Sequence, residues 1–96
     1  TMIKVKPLLG RTGKPVANQY IMEYQNHTYF QSYDSVIVHK YILCDTTKPV
    51  QVELDKTYWN YSVTTSKYRN QFLNESTQET QAKINSGEYK LVDLNN

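Results

Sequence analysis

The chain contains one cysteine, three glycines, three prolines and one tryptophan in 96 residues. Each scarcity excludes something. A lone Cys44 forms no internal disulfide, which fits a reducing compartment. No Cys/His spacing suits zinc, and no Asp-rich loop suits calcium. So little glycine and proline argues against a disordered or fibrous chain. No apolar run approaches the roughly 20 residues of a membrane span. No basic start followed by an apolar stretch marks a secretion signal. Without one, "NHT", "NYS" and "NES" read as chance matches to the glycosylation pattern in an Asn/Thr-rich chain. Thr1 ahead of Met2 reads as a cloning remnant. The expectation is one domain over residues 1–96, with a thin core.

Catalytic groups are also few. The two histidines fall in a predicted turn (His27) and a predicted strand (His39). His39 and Cys44 have no defined geometry as base and nucleophile across a strand and turn. "GRTGKP" contains Gly-Lys but lacks the length of a P-loop and its following hydroxyl residue. The reading is no enzyme, no cofactor and no metal.

What is present is tyrosine, nine in all. Each supplies a large ring with a polar tip. Charge is nearly balanced at +2, but residues 1–20 hold Lys4, Lys6, Arg11 and Lys14 with no acid. These four are candidate phosphate contacts. They equally suit a solvated strand edge, where lysine discourages sheet-to-sheet pairing.

Alternation in "MIKVKPLL" predicts a strand, and "GRTGKP" a turn. "VANQYIMEY" follows as a strand with Tyr20, Met22 and Tyr24 on one face. "QNH" is a turn and "TYFQSY" a third strand, so residues 16–33 form a hairpin. "SVIVHKYIL" suits a strand or a short helix capped by Ser32 or Asp34, and β-branching favours the strand. After the turn "CDTTKP", "VQVEL" places Val50, Val52 and Leu54 inward, giving a second hairpin over residues 36–54. Trp59 and Tyr61 read as same-face neighbours on a strand. "TTSK" offers an N-cap for about two helical turns over "SKYRNQFLN". Ser76-x-x-Glu79 is a capping box for a helix from Thr77 to Ser86, with Gly87 at its C-terminal cap. "EYKLVDL" closes as a strand with Tyr89 and Leu91 on one face. The fold class is α+β: an antiparallel sheet of four to six strands with one or two short helices in the C-terminal half. Trp59, Phe72, Phe30, Ile37, Val52 and Leu91 are the expected core.

On a helical wheel Lys67, Asn70, Gln71 and Asn74 share one polar face. Tyr68 and Phe72 share another, and Arg69 points toward the body of the protein. Its stem would pack on Phe72 while its guanidinium meets Asp34 or Asp55. The polar face has side chains able to hydrogen-bond a partner protein, base edges or phosphates. It is the candidate partner-binding surface, against the plainer reading of a solvated helix face.

The blocks "VANQY", "YFQSYDSVIV", "YWNYSVTTSKYRNQFL" and "KINSGEYKLVDLN" resemble a family of small, mostly uncharacterised proteins encoded by bacteriophages and related mobile elements. The resemblance spans about residues 3–95 and is most specific over TTSKYRNQFL. It implies a setting, a non-structural phage protein in the host bacterial cytoplasm, and carries over no functional residue. Small phage accessory proteins commonly work by binding. The expectation is therefore a modulator of a host protein system, such as an anti-defence or anti-CRISPR-like inhibitor. Direct nucleic-acid binding and homo-oligomeric assembly are the alternatives, with no membrane partner.

Overall fold

The computed structural model describes residues 3–44, 47 and 49–95. Six strands form one sheet in sequence order: β1 (Lys4–Leu9), β2 (Pro15–Tyr24), β3 (His27–Ser32), β4 (Ser35–Ile42), β5 (Val50–Asp55) and β6 (Tyr89–Val92). Short connections make β1 to β5 an antiparallel meander. β6 instead joins β5 in parallel, because two helices, α1 (Val63–Leu73) and α2 (Thr77–Ser86), fill the connection. A parallel pair requires such a crossover. The expected α+β class and late helices are present, with the last strand pair parallel rather than antiparallel. No helix of the described residues is long and apolar enough to cross a membrane.

Each of the first three turns between strands holds a residue at positive φ, and only the first uses a glycine for it. Gly13 takes a φ of 82° between β1 and β2, and its N–H bonds Gly10 O at 2.9 Å. Gln25 and Tyr33 adopt positive φ of 51° and 55° in the next two turns. In "CDTTKP", Asp45, Thr46 and Lys48 lie outside the described residues, and Cys44 is exposed.

The helices lie on one face of the sheet. Beneath them Ile21, Phe30, Val38 and Leu54 stand opposite one another across β2 to β5. A register shift in β4 places one extra residue opposite the Phe30–Gln31 step. As a result consecutive residues Ile37 and Val38 are both fully buried, as a bulge permits. Leu8, Val52 and Tyr89 complete the core, and Trp59, Tyr68, Phe72 and Leu73 pack against it half-buried. Gln19 is also buried, and neither of its amide atoms has a partner among the described residues, a local cost the fold carries.

Three expectations need correction. Residues 56–61 are turns, not a strand. The Asp55 carboxylate draws the chain round by accepting N–H bonds from Thr57 at 3.0 Å and Tyr58 at 2.9 Å. Tyr61 is therefore exposed, and Trp59 reaches the core from a loop. Leu91 is 42% exposed, since β6 is an edge strand and α2 covers only its start, where Tyr89 is buried. Val50, at the open end of β5, is exposed as well.

The α2 caps form where the sequence places them, but α1 starts earlier than expected: its N-cap is Ser62, and Thr64, Thr65 and Ser66 of "TTSK" lie inside the helix. Ser62 Oγ accepts the Thr65 N–H at 3.1 Å to start α1, and Asn74 ends it with a φ of 56°. Ser76 and Glu79 form the reciprocal capping box of α2, and Gly87 ends it at a φ of 85°. The α1–α2 link is fastened to β6 by Glu75. Its Oε1 accepts from Lys83 Nζ at 2.8 Å and from Tyr89 O–H at 2.8 Å, and Thr80 Oγ1 donates to Oε2. Burial raises the Glu75 carboxyl, but these donors outweigh it and hold it below the usual range. Burial, then the neighbouring carboxylate, pushes Tyr89 up to about 12.

A depressed carboxyl contributes stability that is present above its unfolded value of 4.5 and lost as pH falls through the folded one. Glu75→Gln is expected to cost about 1–3 kcal/mol at pH 7. Urea melts from pH 7 to pH 3 should show the gap to wild type closing below about pH 4.5. A gap that stays constant with pH would show that the carboxylate's charge is not what holds this junction.

Candidate functional surfaces on the helix and the open sheet

Residues with binding chemistry collect on two opposite surfaces. The first is a groove of 1020 Å³ along α1, lined by Lys67, Asn70, Gln71 and Asn74. Arg11 joins them from the β1–β2 turn. Five of the eight residues singled out from the sequence therefore share one site. Lys4, Lys6 and Lys14 do not line it. Lys6 pairs with Glu23 at 2.6 Å, and Lys14 is exposed in the turn.

The four α1 residues are not equally free. Asn74 is the helix C-cap. Gln71 donates its amide to Leu9 O, tying α1 to the edge strand. Asn70 accepts from Arg69 Nη2 at 2.9 Å and donates to Thr77 Oγ1 at 3.2 Å. Lys67 ranges over the Tyr68 ring, with Nζ 5.2 Å from its centroid.

Arg69 points into the protein as its place on the wheel requires, and it is fully buried. The expected carboxylate partner is absent. Asp34 is exposed and Asp55 caps the turn after β5. The guanidinium is bound by neutral oxygens instead: Trp59 O, Asn60 Oδ1 at 3.3 Å, Ser66 Oγ at 3.4 Å, Asn70 Oδ1 and Thr77 Oγ1 at 2.8 Å. It also lies 5.0 Å from the centre of the Trp59 ring. Its Nε is buried without a partner among the described residues. Burial lowers its pKa, opposed by the charge of Glu75.

The second surface is the face of the sheet that carries no helix. Alternation places Tyr20, Met22 and Tyr24 there from β2, as expected. The register then sets Tyr29 beside His39 and His27 beside Tyr41. His39 stacks on Tyr29 with centroids 4.5 Å apart and planes 7° apart, and on Tyr41 at 4.8 Å. His27 stacks on His39 at 5.1 Å. At one end Glu53 Oε1 lies 2.9 Å from His39 Nδ1, and at the other His39 Nε2 lies 2.8 Å from His27 Nδ1.

A carboxylate only accepts, so His39 Nδ1 donates to Glu53, and His39 Nε2 and His27 Nδ1 share one further hydrogen bond. The chain Glu53–His39–His27 thus fixes the orientation of both rings. Among the described residues no three His, Cys, Asp or Glu side chains form a metal-holding group. Sequence reading missed this row because it put His27 in a turn. His27 actually opens β3, and the pairs His27/Tyr29 and His39/Tyr41, each two residues apart, are the signal that would have found it.

A family model described as a family of unknown function (DUF8033) matches residues 3–88. The chain belongs to this family. No curated protein and no solved structure matches it. The family match takes in both surfaces but assigns neither a role, so the chemistry of their side chains has to carry the functional reading.

Proposed function

We propose that this chain is a small non-enzymatic binding module of the phage accessory type, acting in the bacterial cytoplasm. It engages and modulates a host protein through the open face of its sheet. The observation that carries this reading is the stacked row Tyr29–His39–Tyr41 with His27, locked at one end by Glu53. Aromatic side chains of this kind dominate interface energetics. Rings already held by stacking lose little further freedom on binding. A 510 Å³ cleft bordered by Val5, Tyr20, Met22 and Tyr33, with Asn18, Gln31 and Asp34 beside them, extends the face and offers a mixed apolar and polar seat for a partner's side chain.

Charge favours a protein over nucleic acid here. On this face β5 and β6 contribute Glu53 and Lys90, which are register partners. The opposed signs leave no basic field for a phosphate backbone.

A photo-crosslinking residue at Tyr41, and separately at Val63 on the helix side, tests the reading in bacterial cells. The expected result is a defined host protein crosslinked from position 41 and not from position 63. Tyr29→Ser should weaken that complex about thirtyfold, the effect of a hot spot of ~2 kcal/mol. Crosslinks only between copies of the chain would replace the reading with homo-oligomeric assembly, and nucleic-acid adducts from position 41 would overturn it.

A further inference from the structure

The groove along α1 has a chemistry of its own, independent of the sheet face. Its floor is organised by Arg69, a cation that donates and never accepts. Arg69 therefore turns the oxygens of Asn60 and Asn70 inward. This fixes which end of each amide faces the groove, because only oxygen can accept from a guanidinium. Ser66 is also spent, since it accepts from Arg69 and donates to Asn60 Oδ1 at 2.7 Å. What remains toward the groove is N–H: the Asn60 Nδ2 amine and the second hydrogen of Asn70 Nδ2, whose first goes to Thr77.

More donors flank these. The Thr65 and Ser66 N–H groups of α1 are taken by Ser62. The Val63 and Thr64 N–H groups ahead of them are the orphans of a helix start, and α1 has no acid in its first turn to meet them. Arg11 and Lys67 line the groove as cations, and neither has a carboxylate partner among the described residues. Glu75 and Glu79 line it too; the charge of Glu75 is met by Lys83, while Glu79 keeps its charge and offsets one of the groove's cations. Glu79 is bound by the Ser76 N–H at 3.0 Å, and Glu75 by Lys83, Tyr89 and Thr80. Arg69 has no carboxylate hydrogen bond among the described residues, so its buried charge lacks a direct counter-ion.

We propose that this groove binds the phosphate group of a nucleotide, with Asn60, Asn70, Lys67 and Arg11 on the phosphate and Tyr61 on the base. A tetrahedral dianion is the ligand class that accepts from several directions at once and balances uncompensated cations. The groove's 1020 Å³ is the size of a small-molecule site rather than of one ion. Tyr61, 48% exposed at its rim, is steadied edge-on by Tyr58 with centroids 5.4 Å apart. It presents a free aromatic face on which a base can stack. The phosphate comes either from a free nucleotide or from a single strand.

The test titrates the full chain at low salt with adenosine monophosphate, with inorganic phosphate, with adenosine and with a short single-stranded oligonucleotide, followed by amide NMR. The expected result is saturable shifts at Asn60, Val63, Thr64 and Asn70 with adenosine monophosphate, weaker ones with phosphate, and none with adenosine. Lys67→Ala should weaken binding about tenfold, the loss of one charge-assisted contact. Asn60→Asp separates binding from folding. It supplies Arg69 with a carboxylate, so thermal stability should hold or rise, while the negative charge abolishes phosphate binding. An oligonucleotide that binds more tightly than the monophosphate, with a steep salt dependence, identifies a strand as the source. One that binds no better identifies the free nucleotide. Absence of groove shifts at millimolar monophosphate, or binding unchanged by Asn60→Asp, overturns the proposal.

Discussion

Replacing Phe30 with alanine is expected to destabilise the protein by about 3–5 kcal/mol. At 0.05–0.15 kcal/mol per residue a chain of this size has roughly 5–14 kcal/mol in total, so a large share of the fold's stability is at risk. Phe30 is fully buried and stands between Ile21 on β2 and Val38 on β4. Its ring stacks on Phe72 of α1 with centroids 5.7 Å apart. Below it lies a hydrogen-bonded sheet that cannot collapse into the space an alanine would leave. Phe72 is the contrasting case. It is only half-buried, and the Lys40 ammonium lies 5.1 Å from its ring centre. Phe72→Ala should therefore cost about 2 kcal/mol, because its neighbours and water share the vacated volume. Urea melts of the two variants decide between them. A larger loss for Phe72 than for Phe30 would place the centre of the core at the helix rather than in the sheet.

That contrast marks how far the sequence could be read. The strands were legible because period-2 alternation is local, and Phe30, Ile37 and Val52 are core as expected. The start of α2 was legible because its cap is made by residues three apart, Ser76 and Glu79, whereas several hydroxyl residues compete at the start of α1 and the one that caps it, Ser62, precedes the expected "TTSK". Trp59 and Tyr61 misled because their alternation has the strand period. What breaks the strand before them is the set of backbone donors that Asp55 attracts, and an aspartate at a strand end does not announce which N–H groups it will bind. Leu91 misled for a different reason. It has the right parity, but burial on an edge strand depends on how far the crossing helix extends over it.

The two surfaces were legible to different degrees. The polar face of α1 follows from one helix wheel, and the structure adds Arg11 to it. The wheel also aimed Arg69 inward, but it could not name neutral oxygens as partners, because these come from a loop, a second helix and α1 itself. The row of His27, Tyr29, His39 and Tyr41 lay further out of reach. It exists only once the β3–β4 register is fixed, and a slip of one residue would send either strand's rings to the opposite face. The extra residue in β4 changes that register in a way no alternation pattern reports.

Asp55→Ala is expected to be about as damaging as Phe30→Ala, by a polar route. Asp55 is 1% exposed and joins two distant parts of the chain. One oxygen accepts from the N–H groups of Thr57 and Tyr58, and the other from the N–H of Leu94 at 2.9 Å. It therefore holds the end of β5, the turn leading to α1 and the segment after β6 in one place. Alanine leaves three donors that lose a charged acceptor, at about 1.5–3 kcal/mol for a bond of that kind and with some recovery by water. A net loss of about 3–5 kcal/mol follows. The amide of an Asp55→Asn variant has one accepting oxygen in place of two, so it can serve one side of the junction and should lose about half as much. Acid distinguishes this from a packing effect. Burial raises the Asp55 carboxyl, but the N–H groups of Leu94, Tyr58 and Thr57 and the Asn95 side chain together hold it below its ordinary 3.8. Its contribution is complete at neutral pH and declines only as pH falls below about 4 and on through the folded value. Melts at pH 7 and pH 2.5 should thus show wild type losing much of its advantage over Asp55→Asn, whereas the deficit of Phe30→Ala stays. If the two variants kept the same deficits at both pH values, the junction would owe its stability to the shape of the aspartate and not to its charge.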